Sequence, residues 1–102
     1  MKPKIVMLEG KGNCYQEAWR FIFGRGPYDD ECTLIHGTIR FGGREAGHAW
    51  IELESGWIWD AQNTFMRPET FAALEPKEIR RYTKVEAIKL AARHGHYGPW
   101  ER

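Results

Sequence analysis

Two apolar runs separated by three residues constrain the fold of this chain more than any other part of the sequence. Residues 48–53 and 57–61 have the composition of short β-strands, and residues 54–56 (Glu-Ser-Gly) between them favour a turn. The pattern predicts an antiparallel β-hairpin.

The length of this loop decides which side chains of the hairpin share a face. A three-residue loop with Gly56 in the left-handed conformation pairs Trp50 with Asp60, so that Asp60 lies diagonal to His48 on the same face. A two-residue turn would instead pair Asp60 with Ile51 and send the carboxylate to the opposite face. Only the three-residue loop allows His48 and Asp60 to interact.

An amphipathic helix is predicted ahead of the hairpin. Asn13 can cap its first turn, Gln16 follows three residues later as in a capping box, and Gly24 supplies a left-handed stop. Cys14 is therefore expected in the first turn of the helix. The apolar stripe consists of Cys14, Tyr15, Ala18, Trp19, Ile22 and Phe23.

The remaining pattern adds strands and helices around these two units. The other predicted elements are an edge strand or packed arm at residues 4–8, a strand at 34–41 interrupted by Gly37, a short helix over 67–74 with Pro68 in its first turn, a strand at 79–82, and a helix from the Thr83/Glu86 capping box to Gly95. Together they predict an α+β fold, with an N-terminal cysteine helix packed on a small antiparallel sheet and further helices toward the C-terminus.

Length and charge limit the classes of function. The chain has 102 residues, which suits one domain spanning residues 1–102. Its 15 basic and 14 acidic residues give a formal net charge of +1, which disfavours a general nucleic-acid binder. No apolar run approaches the roughly 20 residues that cross a bilayer, and no signal-like segment follows the first residues. We expect a soluble cytoplasmic protein that does not enter membranes.

Cys14, His48 and Asp60 are the candidates for a nucleophile, its base and the group that orients the base. A helix amino terminus carries a partial positive charge and unpaired N–H groups, which favour a thiolate over a thiol. His48 would take the thiol proton to form an ion pair. Asp60 would hold the imidazole in one tautomer and stabilise its charged form.

Three segments resemble the motifs of transglutaminase-like proteins. Residues 12–18 (GNCYQEA) resemble their cysteine-helix motif G-x-C-x-x-x-A, residues 47–52 (GHAWIE) resemble their histidine strand H-A-W-x-E, and residues 56–62 (GWIWDAQ) are similar to their G-W-x-x-D strand. The resemblance runs from about Gly12 to Thr64, half of the chain. It implies the papain-like cysteine-protease architecture, in which a cysteine helix packs on an antiparallel sheet.

The resemblance also implies thiol acyl-transfer chemistry on a peptide or protein amide, without a cofactor. Cys14 would attack the carbonyl, and water or an amine would resolve the acyl-enzyme. Water needs no second binding pocket, so in a chain this compact hydrolysis is favoured over amine transfer. The Cys14 backbone N–H is the natural first oxyanion donor, and Asn13, Trp50 and Gln62 are candidates for a second donor or for substrate contacts.

Each catalytic candidate also has a purely structural explanation. Cys14 can be a buried thiol on the apolar stripe, His48 a core histidine, and Asp60 the cap of a turn over residues 61–64. The chain would then be a catalytically inactive binding or regulatory protein on the same scaffold, such as a phage or bacterial accessory factor. Such a protein would expose aromatic side chains and hold Cys14 away from His48.

The other polar residues are assigned no catalytic role. Cys32 is predicted to lie in an acidic loop, without a disulfide to Cys14. Its C-x-x-x-H spacing with His36 could form half a zinc site, but no CxxC pair supports one, so no metal is expected and His36 is predicted to be structural. Residues 96–100 (HYGPW) either cover a cleft or dock their rings into the core, and docking is favoured. A solvated basic face is predicted for Lys77, Arg80, Arg81 and Lys84.

Overall fold

A computed structural model describes residues 13–24, 31–62 and 64–101, and describes Asn13 only by its backbone. Within these residues the chain has an α+β fold, with a five-stranded antiparallel sheet and an N-terminal helix packed on it. The elements are α1 (Asn13–Gly24), β1 (Cys32–Phe41), β2 (Arg44–Leu53), β3 (Ile58–Asp60), β4 (Thr64–Met66), α2 (Pro68–Phe71), a 3₁₀ helix (Ala72–Leu74), β5 (Lys77–Tyr82) and α3 (Lys84–His94). The strand predicted at residues 4–8 lies outside the described residues.

The sheet has the order β4-β3-β2-β1-β5, and every neighbouring pair is antiparallel. The hairpin of β2 and β3 pairs Ile51 with Trp59. Its loop closes because the Leu53 N–H donates to the Trp57 carbonyl at 2.9 Å, and Gly56 takes a φ of 94°. The three-residue loop and its register are therefore confirmed.

The two faces of the sheet carry different layers. We call the face against α1 and α3 the α1 face, and the face against α2 and the 3₁₀ helix the α2 face. The α1 face buries Ala18, Ile22, Leu34, Ala49, Ile51, Tyr82, Ala87 and Trp100 in one cluster. The α2 face buries Ile35, Ile39, Trp50, Ile58, Met66, Phe71 and Leu74 in another.

Several strand boundaries differ from the sequence prediction, and the cause is pairing between strands. β1 begins at Cys32, so Cys32 is a strand residue and the prediction of an acidic loop there is wrong. β2 begins at Arg44 rather than at His48, where the predicted strand starts, because residues 44–47 each pair with β1 across the Gly42-Gly43 turn. β4, a three-residue strand held by β3, was not predicted.

Gly37 does not interrupt β1 as predicted. Its pairing with His48 of β2 is continuous, whereas the register against β5 shifts between His36 and Gly37. A Cβ atom at residue 37 would lie 2.1 Å from the Lys77 carbonyl oxygen and 2.8 Å from the Trp50 ring. Glycine is therefore needed here so that β5 and Trp50 can approach β1.

The helix ends follow the sequence signals in part. The Thr83 and Glu86 side chains form the predicted capping box at the start of α3, and Gly95 ends that helix with a φ of 74°. Gly24 is the last residue of α1 but does not adopt the predicted left-handed conformation. The Asn13 side chain, the predicted cap of α1, lies outside the described part of the chain.

β5 forms one edge of the sheet and is strongly polar. All of its residues are exposed except Tyr82. Lys77 pairs with Glu45, and Arg81 pairs with Glu52 and Glu78. The predicted solvent exposure is thus confirmed for Lys77, Arg80 and Arg81, whereas Lys84 at the start of α3 is half-buried.

Residues 95–101, the closing segment, dock back onto the α1 face. Trp100 is buried in the cluster of that face and packs edge-on against Tyr82 at 5.1 Å between ring centroids. The Trp100 indole N–H donates to the His96 carbonyl at 2.9 Å. The prediction that these rings dock into the core is confirmed for Trp100, whereas Tyr97 is half-buried and His96 is exposed. Among the described helices, each is too short or too polar to span a membrane.

Candidate active site

Cys14 lies in the first turn of α1, as its second residue. The next side chain, Tyr15, helps to hold this turn against β2. A Cβ atom at Gly47 would come within 2.8 Å of the Tyr15 hydroxyl oxygen, so only glycine allows this approach. The glycine that precedes His48 therefore brings the start of α1 beside the histidine strand.

His48 and Asp60 come from neighbouring strands of the hairpin. The confirmed register places Asp60, the last residue of β3, opposite Trp50 and diagonal to His48. The His48 Nε2–H donates to Asp60 Oδ2 at 2.5 Å. Both side chains are fully buried, with 1% and 0% of their surface exposed.

Asp60 performs two tasks at once. Its Oδ1 accepts the backbone N–H of Gln62 at 2.8 Å, which is the turn cap that the structural explanation anticipated. Its Oδ2 remains free to accept from His48. The turn therefore fixes the carboxylate that orients the imidazole, and the two explanations do not exclude each other.

The imidazole of His48 also meets Cys14. Burial alone lowers the pKa of His48, but hydrogen bonds with Asp60 and Cys14 outweigh it and raise this pKa to about 9. Because Nε2 of His48 is bonded to Asp60, Nδ1 is the ring nitrogen that is available for the hydrogen bond with the Cys14 sulfur. Cys14 itself is buried with 7% of its surface exposed. The three predicted side chains thus form one connected cluster, in which Asp60 and Cys14 favour the charged form of the His48 ring.

Such an arrangement has a defined chemical capacity. An imidazolium held between a sulfur and a carboxylate stabilises negative charge on the sulfur and can give a proton to a leaving group. The carboxylate keeps the ring oriented while the proton moves. The cluster is therefore suited to nucleophilic chemistry by a thiolate.

The three further residues predicted near the site have different positions. The Asn13 side chain lies outside the described residues. Trp50 is buried on the α2 face, with its ring 6.2 Å from that of His48 and 5.0 Å from that of Phe71. Gln62 follows Asp60, and its side-chain Oε1 is buried without a hydrogen-bond partner in the described part of the chain. Of these three residues, Gln62 is thus the one whose side chain has an unbonded polar atom in the described structure.

His36 forms a second buried pair of histidine and carboxylate, as structural residues. Its Nδ1–H donates to Glu101 Oε2 at 2.8 Å, and the Tyr82 hydroxyl donates to the same oxygen at 2.7 Å. Burial lowers the pKa of His36 despite this hydrogen bond. The ring also packs edge-on against Tyr15 at 4.9 Å, which links the closing segment to the first turn of α1.

Sequence reasoning missed this link because Glu101 lies 65 residues from His36. It placed Tyr15 on the apolar stripe, and the available signal was Gly47, whose missing side chain makes room for the hydroxyl. Neither Cys14 nor Cys32 forms a disulfide within the described residues. Within residues 13–24, 31–62 and 64–101, no three histidine, cysteine or acidic side chains are grouped as metal ligands.

Comparison of the chain with protein-family models, with curated proteins and with solved structures found no match. What the chain can do is therefore inferred from the geometry of Cys14, His48 and Asp60.

Proposed function

We propose that this chain is a thiol-dependent acyl-transfer enzyme that hydrolyses an amide or peptide bond through Cys14, His48 and Asp60. The fold we propose is the minimal papain-like form of the transglutaminase-like domain. The helix packed on an antiparallel sheet and the three motifs at residues 12–62 support this assignment.

One observation carries the proposal: a buried imidazole bonds to a carboxylate and to a cysteine that starts a helix. Burial ordinarily disfavours the charged form of a core histidine, and it lowers the pKa of His36 in the same molecule. His48 has a pKa raised to about 9 instead. Perturbed groups of this kind are concentrated at catalytic sites.

The proposed reaction has two steps. The Cys14 thiolate attacks the amide carbon to form a C–S bond, and imidazolium His48 gives its proton to the leaving nitrogen as the C–N bond breaks. Neutral His48 then takes a proton from water, and the resulting hydroxide attacks the thioester carbon. The C–S bond breaks, and the thiolate and imidazolium are restored. Asp60 remains a carboxylate throughout.

The oxyanion needs donors beside the sulfur. The backbone N–H of Cys14 lies in the first turn of α1, where amide groups have no partner within the helix. Gln62 is the second donor that we favour, because its side-chain amide oxygen is buried and unbonded and its backbone N–H is held by Asp60. The amide can turn its NH₂ group toward that side. Removal of one such donor typically costs about 10²-fold to 10³-fold in kcat.

A binding role on the same scaffold is the second candidate. The exposed rings of Phe23, Trp57 and Phe65 favour it, because exposed aromatic side chains are common at protein interfaces. Its other expectation, a cysteine held away from His48, is not met. The two candidates therefore differ in the reactivity of the sulfur.

Alkylation by iodoacetamide at pH 6 tests the proposal. The Cys32→Ser variant leaves Cys14 as the single thiol, and we expect it to react at least about tenfold faster than N-acetylcysteine, whose thiolate is scarce at that pH. His48→Ala in the same background should remove the advantage. A screen of peptide and amide substrates against Cys14→Ala then identifies the bond that is cleaved.

The chain supplies its own matched control. The Cys14→Ser variant leaves Cys32, a half-buried cysteine at the start of β1 without a disulfide, which should react no faster than N-acetylcysteine. If Cys14 is as slow as the small thiol at pH 6, the thiolate mechanism is wrong and the binding role is preferred.

A further inference from the structure

A cavity of about 260 Å³ opens on the α2 face, and the first residue of β2 that lines it is Trp50, two residues along the strand from the catalytic histidine. We call it the Trp50 pocket. Trp50 and Ile35 of the sheet line one side, and Phe71 with Pro68 of α2 lines the other. Since the ring of Trp50 is also the neighbour of His48, the pocket is one aromatic ring away from the catalytic imidazole.

The size of the Trp50 pocket suits one side chain. Sites for whole small molecules usually start near 300 Å³ and are more enclosed. The cavity here is smaller, and most of its lining residues are apolar. A peptide that extends from the sulfur toward Glu52 could place one side chain in it, because residues two apart on a strand are about 7 Å apart.

The charged side chains that line the pocket are both acidic. Glu52 and Glu78 are the charged residues among those that line it. Both already bind Arg81, whose Nε donates to Glu78 at 2.8 Å and whose Nη2 donates to Glu52 at 3.1 and 3.2 Å. One guanidinium therefore serves two carboxylates, and one negative charge is left over.

The existing ion pairs do not close the pocket to a second cation. The Arg81 side chain is 47% exposed. Ion pairs of such exposure contribute about 1 kcal/mol or less, so an incoming cation can share the carboxylates at little cost.

We propose that the Trp50 pocket binds a lysine or arginine side chain of the acyl substrate. The apolar stem lies between Trp50 and Phe71, and the cationic head reaches Glu52 and Glu78. Lysine and arginine have this combination of a long apolar stem and a charged end. The inference deepens the proposed function, since it names the substrate class as basic peptides.

Binding of capped amino acids tests the pocket without using catalysis. The probes are the Nα-acetyl amides of lysine, arginine, leucine and glutamate, and the readout is the NMR shift of the Trp50 indole N–H, assigned with Trp50→Phe. We expect the two basic probes to bind at least about fivefold more tightly than the leucine probe, because one ion pair contributes about 1 kcal/mol.

Two substitutions with matched controls locate the binding. Ala72→Phe fills the pocket and should abolish the shifts, whereas Ala73→Phe on the same exposed 3₁₀ helix lies outside the lining and should leave them. Glu78→Gln should weaken the basic probes about fivefold. Glu45→Gln, which removes an exposed carboxylate paired with Lys77, should not.

The outcomes separate the pocket from the proposed function. The assignment of the pocket is overturned if the leucine probe binds as tightly as the basic probes. It is also overturned if Ala72→Phe and Ala73→Phe reduce the NMR shifts equally, and both results hold whatever the reactivity of Cys14. Selective binding of the basic probes with an inert Cys14 supports the pocket and overturns the enzyme. If the basic probes bind selectively and Cys14 is reactive, peptides with lysine or arginine should show the highest kcat/KM. Ala72→Phe should lower this kcat/KM without changing the alkylation of Cys14 by iodoacetamide.

Discussion

The two buried histidines of this protein have opposite responses to similar surroundings. Each is buried in the sheet and bonds to a carboxylate. The pKa of His48 is nevertheless raised to about 9, whereas that of His36 is lowered. Burial is the largest influence on both and disfavours the charged ring. His48 overcomes it because a second partner, Cys14, adds to the effect of Asp60.

Removing the charge of Asp60 should lower the pKa of His48. We expect Asp60→Asn to reduce it by at least about one unit, since a neutral amide no longer stabilises the imidazolium. NMR titration of the His48 ring measures this. Glu101→Gln, the same change at the other histidine, is the control and should leave the pKa of His48 where it is. A His48 titration that is unaltered by Asp60→Asn would contradict the role given to this carboxylate.

The raised pKa of His48 also predicts how stability changes with alkaline pH. Its folded-state pKa of about 9 exceeds the ordinary value of 6.5, so the contribution is complete below pH 6.5 and is lost as the pH rises through about 9. We expect the free energy of unfolding to fall by on the order of 3 kcal/mol over that range. Urea unfolding at pH 6.5 and pH 9 measures the loss.

The control for this pH dependence is His48→Gln, which has no imidazole to titrate. Its stability should decline much less between the two pH values, even if it starts lower. Parallel declines in the two proteins would show that another group is responsible.

At the scale of elements, β1 depends on glycine at its point of closest approach to β5. Gly37→Ala should lower the free energy of unfolding by about 2 kcal/mol or more, because its Cβ would lie 2.1 Å from a backbone oxygen that cannot move alone. Gly24→Ala is the control, since among the described residues no atom outside its own helix backbone and chain neighbours lies within 4 Å of the added Cβ. Urea denaturation compares them, and equal stabilities would contradict the tight packing inferred at residue 37.

Elements with local signals could be predicted from the sequence, and elements that depend on a partner could not. The Thr83/Glu86 capping box and the hairpin register both depend on residues within a few positions of each other. Residues 44–47 contain charges and a glycine, and they form a strand only because β1 pairs with them. The candidate site was accessible to prediction because the loop of residues 54–56 sets the face of Asp60.

At the scale of the whole molecule, local patterns predicted that the rings of the closing segment dock into the core, but they could not predict the contacts of Glu101. Glu101 Oε2 accepts from His36, from Tyr82 and from the backbone N–H of Trp100. These bonds join the last described residue to two strands and bury Trp100 between them and α1. No periodicity or motif connects groups this far apart along the chain.

Glu101→Gln should therefore destabilise the fold by about 1–3 kcal/mol at pH 7, because charge-assisted hydrogen bonds to buried partners are weakened. Partial burial alone would raise the pKa of Glu101, but the hydrogen bonds from His36 and Tyr82 lower it below its ordinary 4.5. Its contribution is thus present above pH 4.5 and is lost as the pH falls through the lowered pKa.

Chemical denaturation of the wild type and of Glu101→Gln across this range checks the prediction. The difference in the free energy of unfolding between the two proteins should become smaller below pH 4.5, where the wild-type carboxyl of Glu101 takes up its proton. Glu45→Gln, an exposed carboxylate, should stay within about 0.5 kcal/mol of the wild type. A variant at residue 101 that is as stable as this control would mean that the closing segment is held by its rings alone.

The polar edge strand β5 has a consequence for how the molecule behaves in a crowded solution. A foreign strand that tried to extend the sheet there would have to displace water from Lys77, Glu78, Arg80 and Arg81 before its amides found partners. That dehydration cost disfavours pairing of β5 with strands of other molecules. The exposed edge of the sheet is therefore a poor template for aggregation, even in a chain rich in aromatic rings.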